Sequence, residues 1–194
     1  MKNQKKPAVF LDRDGVIIKD AGYLHEVKNV EFIPGALSSI KLLNKHNYLV
    51  IVVSNQSGVA RGYFNEDDVI KVNNFIARTA NKHFATIHGF YYCPHHPKEG
   101  VGLYNKNCEC RKPKPGMIYK AVNYHNINLQ KSILIGDKIT DLQVAKNVGV
   151  PAYLVSTGYG KMYYDIINKD LGFNFKNWKY VNSIAEAVKM ELAL

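Results

Sequence analysis

The chain has 194 residues, 46% of them hydrophobic and 22% charged, proportions that exclude disordered and fibrous classes and fit one domain with a core of its own. A formal charge of +10, from 26 Lys and Arg against 16 Asp and Glu, favours anionic partners such as phosphorylated metabolites, nucleic acid or an anionic membrane, or else a solvated lysine-rich face. No run approaches the roughly 18 apolar residues of a membrane span.

Behind the basic start Met1–Pro7, the apolar run Ala8–Leu11 is too short for a signal-peptide core. A cytoplasmic protein is expected, with its cysteines as thiolates or buried thiols rather than disulfides. Val9-Phe10-Leu11 then reads as a strand ending in Asp12-Arg13-Asp14-Gly15. Alternation along an extended strand sends Asp12 and Asp14 to one side. Two anions so close raise each other's proton affinity unless they share a cation or a proton. The pair is read as a metal site or a nucleophile beside an acid, against the alternative of an Asx turn closing a strand.

Ile18 to Ile33 is polar and irregular, and Pro34-Gly35 opens a helix with apolar positions Ala36, Leu37, Ile40 and Leu43. Tyr48 to Val53 is a nearly continuous β-branched run, as expected of a central parallel strand. It ends in Ser54-Asn55-Gln56-Ser57-Gly58, small polar groups able to hold an anion or simply to turn the chain. Asn65 caps a helix with Glu66, Asp67 and Asp68 at its positive end, running through Val69, Val72, Ile76 and Ala80. Gly89 to Cys93 is a short aromatic strand, after which periodicity disappears until Pro115.

Helical spacing resumes from Met117 to about His125. Ser132 to Ile135 is a buried strand ending in Gly136-Asp137-Lys138; a helix over Thr140–Val148, closed by Gly149, and a strand over Ala152–Val155 follow. The aromatic stretch Tyr159–Tyr180 takes no assignment, and Ser183-Ile184-Ala185-Glu186 is a capping-box start for a last helix. The alternation of strand and helix predicts a single three-layer, Rossmann-like α/β domain over residues 1–194 around a parallel sheet. Ligands of such sheets sit beyond the carboxyl ends of the strands, where Asp12, Ser54 and Asp137 all stand.

All 3 cysteines fall in Cys93-Pro94-His95 and Cys108-Glu109-Cys110. Three thiolates and a histidine match a structural zinc site in ligand type and number; the alternative is three unrelated thiols and a surface histidine. His96 competes with His95, but Cys-x-His mirrors Cys-x-Cys, so His95 is the expected ligand. Four protein ligands leave zinc no open position. Its expected work is to hold a loop over about 93–113 and to aim Arg111 and Lys112, which follow Cys110 directly, at the crevice. His25, His46, His83, His88 and His125 show no paired spacing and read as surface or core residues.

Asp12-x-Asp14-Gly15-Val16, the strand ending in Ser54, Lys112, and Gly136-Asp137-Lys138 with Asp141 together resemble the four signatures of the haloacid dehalogenase (HAD) superfamily of phosphotransferases. Phe10–Gly15, Gly22–Glu26, Asn55–Gly58 with Ala60–Gly62, Tyr91–Pro97 and Cys108–Pro113 with Pro115-Gly116 resemble, more narrowly, its heptose-bisphosphate phosphatase family, the similarity running from about Val9 to Gly158. Histidinol-phosphate phosphatases share the zinc loop, but there the second strand ends in Asn-Gln-Asp-Gly.

The resemblance implies a HAD-like fold without a separate cap domain, since residues 13 to 53, between Asp12 and Ser54, already hold a helix and a strand of the core. It also implies removal of the 7-phosphate of D-glycero-D-manno-heptose 1,7-bisphosphate through an aspartyl-phosphate, in ADP-heptose supply for lipopolysaccharide core. Carried over by position, Asp12 would be the nucleophile, Asp14 the general acid and base, and Ser54 and Lys112 would stabilise the phosphoryl oxygens. Asp12, Asp137 and the backbone carbonyl of Asp14 would hold catalytic Mg2+, and Cys93, His95, Cys108 and Cys110 structural Zn2+. Asp20, Gly22, Tyr23, Asn55, Gln56, Ser57, Arg111 and Lys138 would contact substrate.

The tail from Tyr159 to Trp178 fits the family less well and is expected to say nothing about activity. The expected partner is a small sugar bisphosphate, with no nucleic acid, no membrane and a monomeric chain. The alternatives are histidinol phosphate and a catalytically idle, basic zinc-loop protein that binds nucleic acid; against the latter, Asp12, Asp14, Lys112 and Asp137 are all present.

Overall fold

Strand after strand in this chain is apolar on both faces, and the sheet they build is covered on both. A computed structural model describes residues 5–169 and 173–194; the first four residues of the basic start and residues 170–172 of the aromatic stretch lie outside the described residues. Six parallel strands run in the order β3-β2-β1-β4-β5-β6: β1 Ala8–Leu11, β2 Leu49–Asn55, β3 Gly89–Cys93, β4 Ile133–Gly136, β5 Ala152–Val155 and β6 Trp178–Val181. Strand order reverses at β1, between β2 and β4, so the crevice of a doubly wound sheet falls there.

Side-chain alternation divides the core into two layers. Val9, Leu11, Val50, Val52, Ile133 and Ile135 face helices α1 (Ala36–Lys45), α2 (Glu66–Lys82) and α6 (Ile184–Glu191). Ala8, Phe10, Ile51, Val53 and Leu134 face α3 (Gly116–His125), α4 (Ile139–Val148) and α5 (Gly160–Lys169). Full burial of a side chain such as Ile51 or Leu134 contributes roughly 1.5–3 kcal/mol, and β1, β4 and β5 bury every position. No inserted domain separates β1 from β2 among the described residues. None of the described helices is long and apolar enough to cross a membrane.

Helix starts follow the sequence with one shift. At α2, Asn65 accepts from Asp68 N at 3.0 Å and Asp68 accepts from Asn65 N at 3.2 Å, a complete capping box. At α6 only half of the expected box forms. Ser183 accepts from Glu186 N, but the Glu186 carboxylate accepts from Asn182 N at 2.7 Å instead of from Ser183. The unassigned aromatic stretch contains α5 and the edge strand β6. It is ordered by aromatic packing, with Tyr164 stacked on Tyr180 at 3.9 Å between ring centroids and Phe173 edge-on to Trp178 at 6.1 Å. Tyr164, Phe173, Trp178 and Tyr180 cover one layer of the sheet, which a helical period blurred by rings on several faces did not reveal.

Candidate active site

Three carboxylates meet where β1 and β4 end. Asp12 follows β1, Asp137 follows β4, and Asp141 reaches back from the first turn of α4; one oxygen from each lies within 4.8 Å of the others. All three are buried, Asp137 and Asp141 completely. The backbone makes room for Asp137. A Cβ on Gly15 would stand 2.3 Å from Asp137 Oδ2, and one on Gly158 2.2 Å from the same oxygen. Both glycines have positive φ, +87° and +59°, which side chains disfavour in any case.

Lys112 neutralises part of this charge. Its ammonium donates to Asp141 at 2.6 Å and to the Val53 carbonyl at 2.8 Å, and lies 3.1 Å from Asp12 Oδ1. Burial opposes the charge on Lys112, but Asp12 and then Asp141 outweigh it and hold the ammonium protonated. Burial likewise works against the Asp12 carboxylate, yet Lys112 and Lys138 keep it below the usual range. Asp137 is the exception: burial, then repulsion from Asp12, pushes it up to about 8. Its Oδ1 is buried without a hydrogen-bond partner, and Lys138 is 4.0 Å away, beyond hydrogen-bonding reach. An orphaned carboxylate oxygen among two others is the donor set that a hard divalent cation takes.

Asp14 is placed differently from its neighbour two residues earlier. Arg13, 1% exposed, grips it with Nε at 3.1 Å and Nη2 at 3.2 Å, and the same guanidinium donates to Asn73 and Gln56. Gln56 Nε2 donates to Asp14 at 2.9 Å and to Ser54 Oγ at 2.6 Å. Sequence reading did not single out Arg13. A lone cation between two aspartates at a strand end, where a buried guanidinium can bond a carboxylate bidentately, is the signal it offers.

Two of the expected substrate contacts also bond within the protein. Gln56 spends its amide on Asp14, Ser54 and Arg13. Asn55 brackets the Lys112 peptide, accepting from Lys112 N at 3.0 Å and donating to Lys112 O at 3.1 Å, so it places the lysine. Arg111 is placed apart from Lys112. Its Nη1 donates to the His95 carbonyl at 3.0 Å and the residue does not line the cavity, so only Lys112 of the two cations reaches the carboxylates.

A cavity of about 330 Å³ lies beside the carboxylates, within the range of small-molecule sites. Asp14, Asp20, Gly22, Tyr23, Asn55, Gln56, Ser57 and Lys138 line it. Lys138 pairs with Asp20 at 2.9 Å, and Asp20 also accepts from Gly22 N. Gly58, Phe64, Tyr159, Met162 and Tyr163 complete the lining. The last three come from the aromatic tail, whose role the sequence leaves open. Their spacing of three and four residues, one face of a helix, was the available signal.

The thiol cluster lies apart from this cavity. The sulfurs of Cys93, Cys108 and Cys110 are 3.2 to 3.5 Å from one another, and His95 Nδ1 is 3.4 Å from Cys110 Sγ and 3.7 Å from Cys93 Sγ. Ligands around a tetrahedral zinc with bonds of about 2.0–2.3 Å stand roughly 3.5–3.8 Å apart. Burial raises the Cys93 and Cys110 thiols, so it takes a bound cation to make them thiolates. His96 turns away and accepts from Glu99 N at 3.0 Å. A second tie holds this loop: Glu66 accepts from Tyr92 OH at 2.7 Å and from Tyr104 OH at 2.9 Å. The histidines without paired spacing serve structure, His25 stacking on Phe64 and His88 accepting from Val50 N.

The HAD-hydrolase-like family model matches residues 109–187, a span that holds Lys112 and Asp137. The protein of Vibrio cholerae named D-glycero-beta-D-manno-heptose-1,7-bisphosphate 7-phosphatase is 44% identical over 154 residues, 79% of this chain and 83% of that protein. The Escherichia coli protein of the same name is 44% identical over 78% of this chain and 80% of its own length. Among solved structures, the D,D-heptose 1,7-bisphosphate phosphatase of B. bronchiseptica complexed with magnesium and phosphate superposes with a TM-score of 0.84 at 27% identity, covering 96% of this chain and 98% of that one.

Proposed function

Because the chain belongs to the D-glycero-beta-D-manno-heptose-1,7-bisphosphate 7-phosphatase family of HAD-like hydrolases, we propose that it is a phosphomonoester hydrolase that removes the 7-phosphate of that sugar bisphosphate, the β anomer by preference. Its place in ADP-heptose supply for lipopolysaccharide core follows from that substrate. The observation that carries the reading is the buried meeting of Asp12, Lys112 and Asp137 beside a cavity lined by Asp14 and Lys138. Nucleophile, balancing cation and acid stand together there.

Both protein contacts to the Asp12 carboxylate fall on Oδ1, from Arg13 N at 2.8 Å and Lys112 at 3.1 Å. Oδ2 is left to attack phosphorus. As the phosphorus–oxygen bond to the sugar breaks, Asp14 gives its proton to the departing oxygen. It then takes one from the water that hydrolyses the aspartyl-phosphate. Arg13 and Gln56 hold Asp14 in reach of both tasks. Lys112 and the Ser54 hydroxyl balance charge on the equatorial phosphoryl oxygens, where most of it gathers.

Asp12, Asp137 and the Asp14 carbonyl would hold Mg2+, with Asp141 beside them, and the magnesium bound with phosphate in the B. bronchiseptica structure supports that assignment. When bound, it would screen the repulsion between carboxylate and phosphate. Cys93, His95, Cys108 and Cys110 would hold a structural zinc. Lys138, Asp20, Gly22, Tyr23 and Ser57 are the proposed contacts to the sugar bisphosphate. The chain acts as one phosphatase unit.

Phosphate release with magnesium, from both anomers of the heptose 1,7-bisphosphate and from histidinol phosphate, tests this reading. The expected outcome is the highest kcat/KM on the β anomer. A preference for histidinol phosphate would keep the mechanism and overturn the substrate.

A further inference from the structure

The start of α5 is tied to the carboxylates by backbone as well as by its place in the lining. Tyr159 N donates to Asp137 Oδ2 at 2.9 Å, and Thr157 Oγ1 donates to the Gly15 carbonyl at 2.6 Å. Gly158 packs where any side chain would strike Asp137. The segment is therefore fixed relative to the reacting centre, unlike a loose tail.

Its side chains divide between two tasks. Tyr164 turns to the core and stacks on Tyr180. Tyr159 and Met162 stay 43% and 47% exposed while lining the cavity, with Tyr163 beside them. Large apolar groups in a polar cavity need a partner that is apolar on one side and polar on the other. Tyr23 and Phe64, from the loops after β1 and β2, add two more rings to the lining. Lys138 holds its ammonium 4.9 Å from the centroid of the Tyr159 ring, so a cation borders this apolar wall.

Resting on the sugar-phosphate reading above, we propose that Tyr159, with Met162 and Tyr163, forms a carbohydrate-binding wall that contacts the C–H face of the sugar and sets the preference for sugar phosphates over small phosphate esters. A sugar carries polarised C–H bonds on one face of its ring and hydroxyls around the edge. The first suits an aromatic face and a thioether; the second suits Asp20 and Ser57. A small acyclic compound such as acetyl phosphate, an acyl phosphate without a ring face, would gain nothing from this wall.

The test compares kcat and KM on the heptose 1,7-bisphosphate, on fructose 1,6-bisphosphate and on acetyl phosphate for wild type, Tyr159→Ala, Tyr159→Phe and Met162→Ala. Tyr159→Ala keeps the backbone bond to Asp137. It should raise KM on the preferred sugar and lower kcat/KM about three- to tenfold, leaving acetyl phosphate unchanged. Tyr159→Phe should restore the wild-type ratio, and Met162→Ala should show a smaller loss of the same kind. Equal losses on sugar and acetyl phosphate would mean that Tyr159 acts through Lys138 or Asp137, and would overturn the wall. So would no loss on either. A wild-type protein that prefers fructose 1,6-bisphosphate would refute the heptose reading alone, since the wall is then read on that sugar; turnover of neither sugar would refute both.

Discussion

The carboxylate cluster and the thiol cluster both crowd like groups at distances that only a cation relieves, yet the fold builds them by opposite means. Asp12, Asp137 and Asp141 are brought together by the ends of adjacent parallel strands and by the first turn of a helix, elements fixed by two layers of core. Cys93, His95, Cys108 and Cys110 are joined by a stretch whose only regular structure is a short 3-10 turn at Gly102–Tyr104. The first cluster opens beside a cavity, as a site for chemistry needs. The second is closed by its own four ligands, as a site for holding chain needs. Lys112 links them, two residues beyond Cys110 in sequence and bonded to Asp141 in space.

The largest effect belongs to the open cluster. Asp12→Asn should lower phosphate release by at least about 10⁴-fold, while Asp14→Asn should cost about 10²–10⁴-fold. Circular dichroism of both should match the wild type. If Asp12→Asn turned over at near-normal rate, no covalent intermediate forms on this residue and the contrast loses its catalytic half.

Asp137→Asn separates function from stability within the same cluster. The native carboxyl titrates near 8 against a reference of 3.8, so between those values the folded state binds more protons than the unfolded one. Stability of magnesium-free wild type should therefore fall as pH rises from about 4 to about 8. Asp12 is depressed and loses its contribution in another window, below its reference value. Asp137→Asn should remove the first trend, melting higher than wild type at pH 8 without magnesium while losing activity with it. Superimposable pH profiles of the melting temperature would show that Asp137 is not strained in the folded state.

How much of this was legible differs between the clusters for a physical reason. Strand ends are marked by apolar runs that stop abruptly, so Asp12, Ser54 and Asp137 could be placed at one edge of a parallel sheet. That the three thiols would gather with His95 rather than His96 could be expected from spacing alone. Roles set by long-range bonds were not readable. Gln56 and Asn55 look like substrate contacts in sequence, and only the folded chain shows their amides spent on Asp14 and on the Lys112 peptide. Arg13 is hidden the same way, its partners Asn73 and Gln56 lying 60 and 43 residues away. The tail was opaque because its rings serve both the core and the cavity.

For the closed cluster, Cys108→Ser should abolish stoichiometric zinc, read by elemental analysis. It should lower kcat/KM about 10–100-fold, the range seen when support around a site is lost. The loss is bounded because Asn55 still brackets the Lys112 peptide from β2. An unchanged rate in zinc-free protein would mean that the loop does not position Lys112, and that the two clusters are independent.

The smallest effect tests the tie that zinc does not supply. Glu66 accepts from Tyr92 on β3 and from Tyr104 on the loop, joining both to the start of α2. Glu66→Gln keeps the shape and loses the charge-assisted character of both bonds, a change of about 1–2 kcal/mol in stability. Alone it should lower the melting point slightly and leave kcat/KM nearly untouched, because the proposed zinc would still hold the loop. In the Cys108→Ser background the same substitution should weaken kcat/KM further, since Glu66 is then the remaining restraint on that side. Residues that share one mobile element couple in a double-mutant cycle, whereas independent ones add. A non-additive cycle in kcat/KM is expected here. Strict additivity would mean that the Tyr92–Glu66–Tyr104 bonds and the thiol cluster restrain different parts of the loop, leaving zinc alone to place the segment that leads into Lys112.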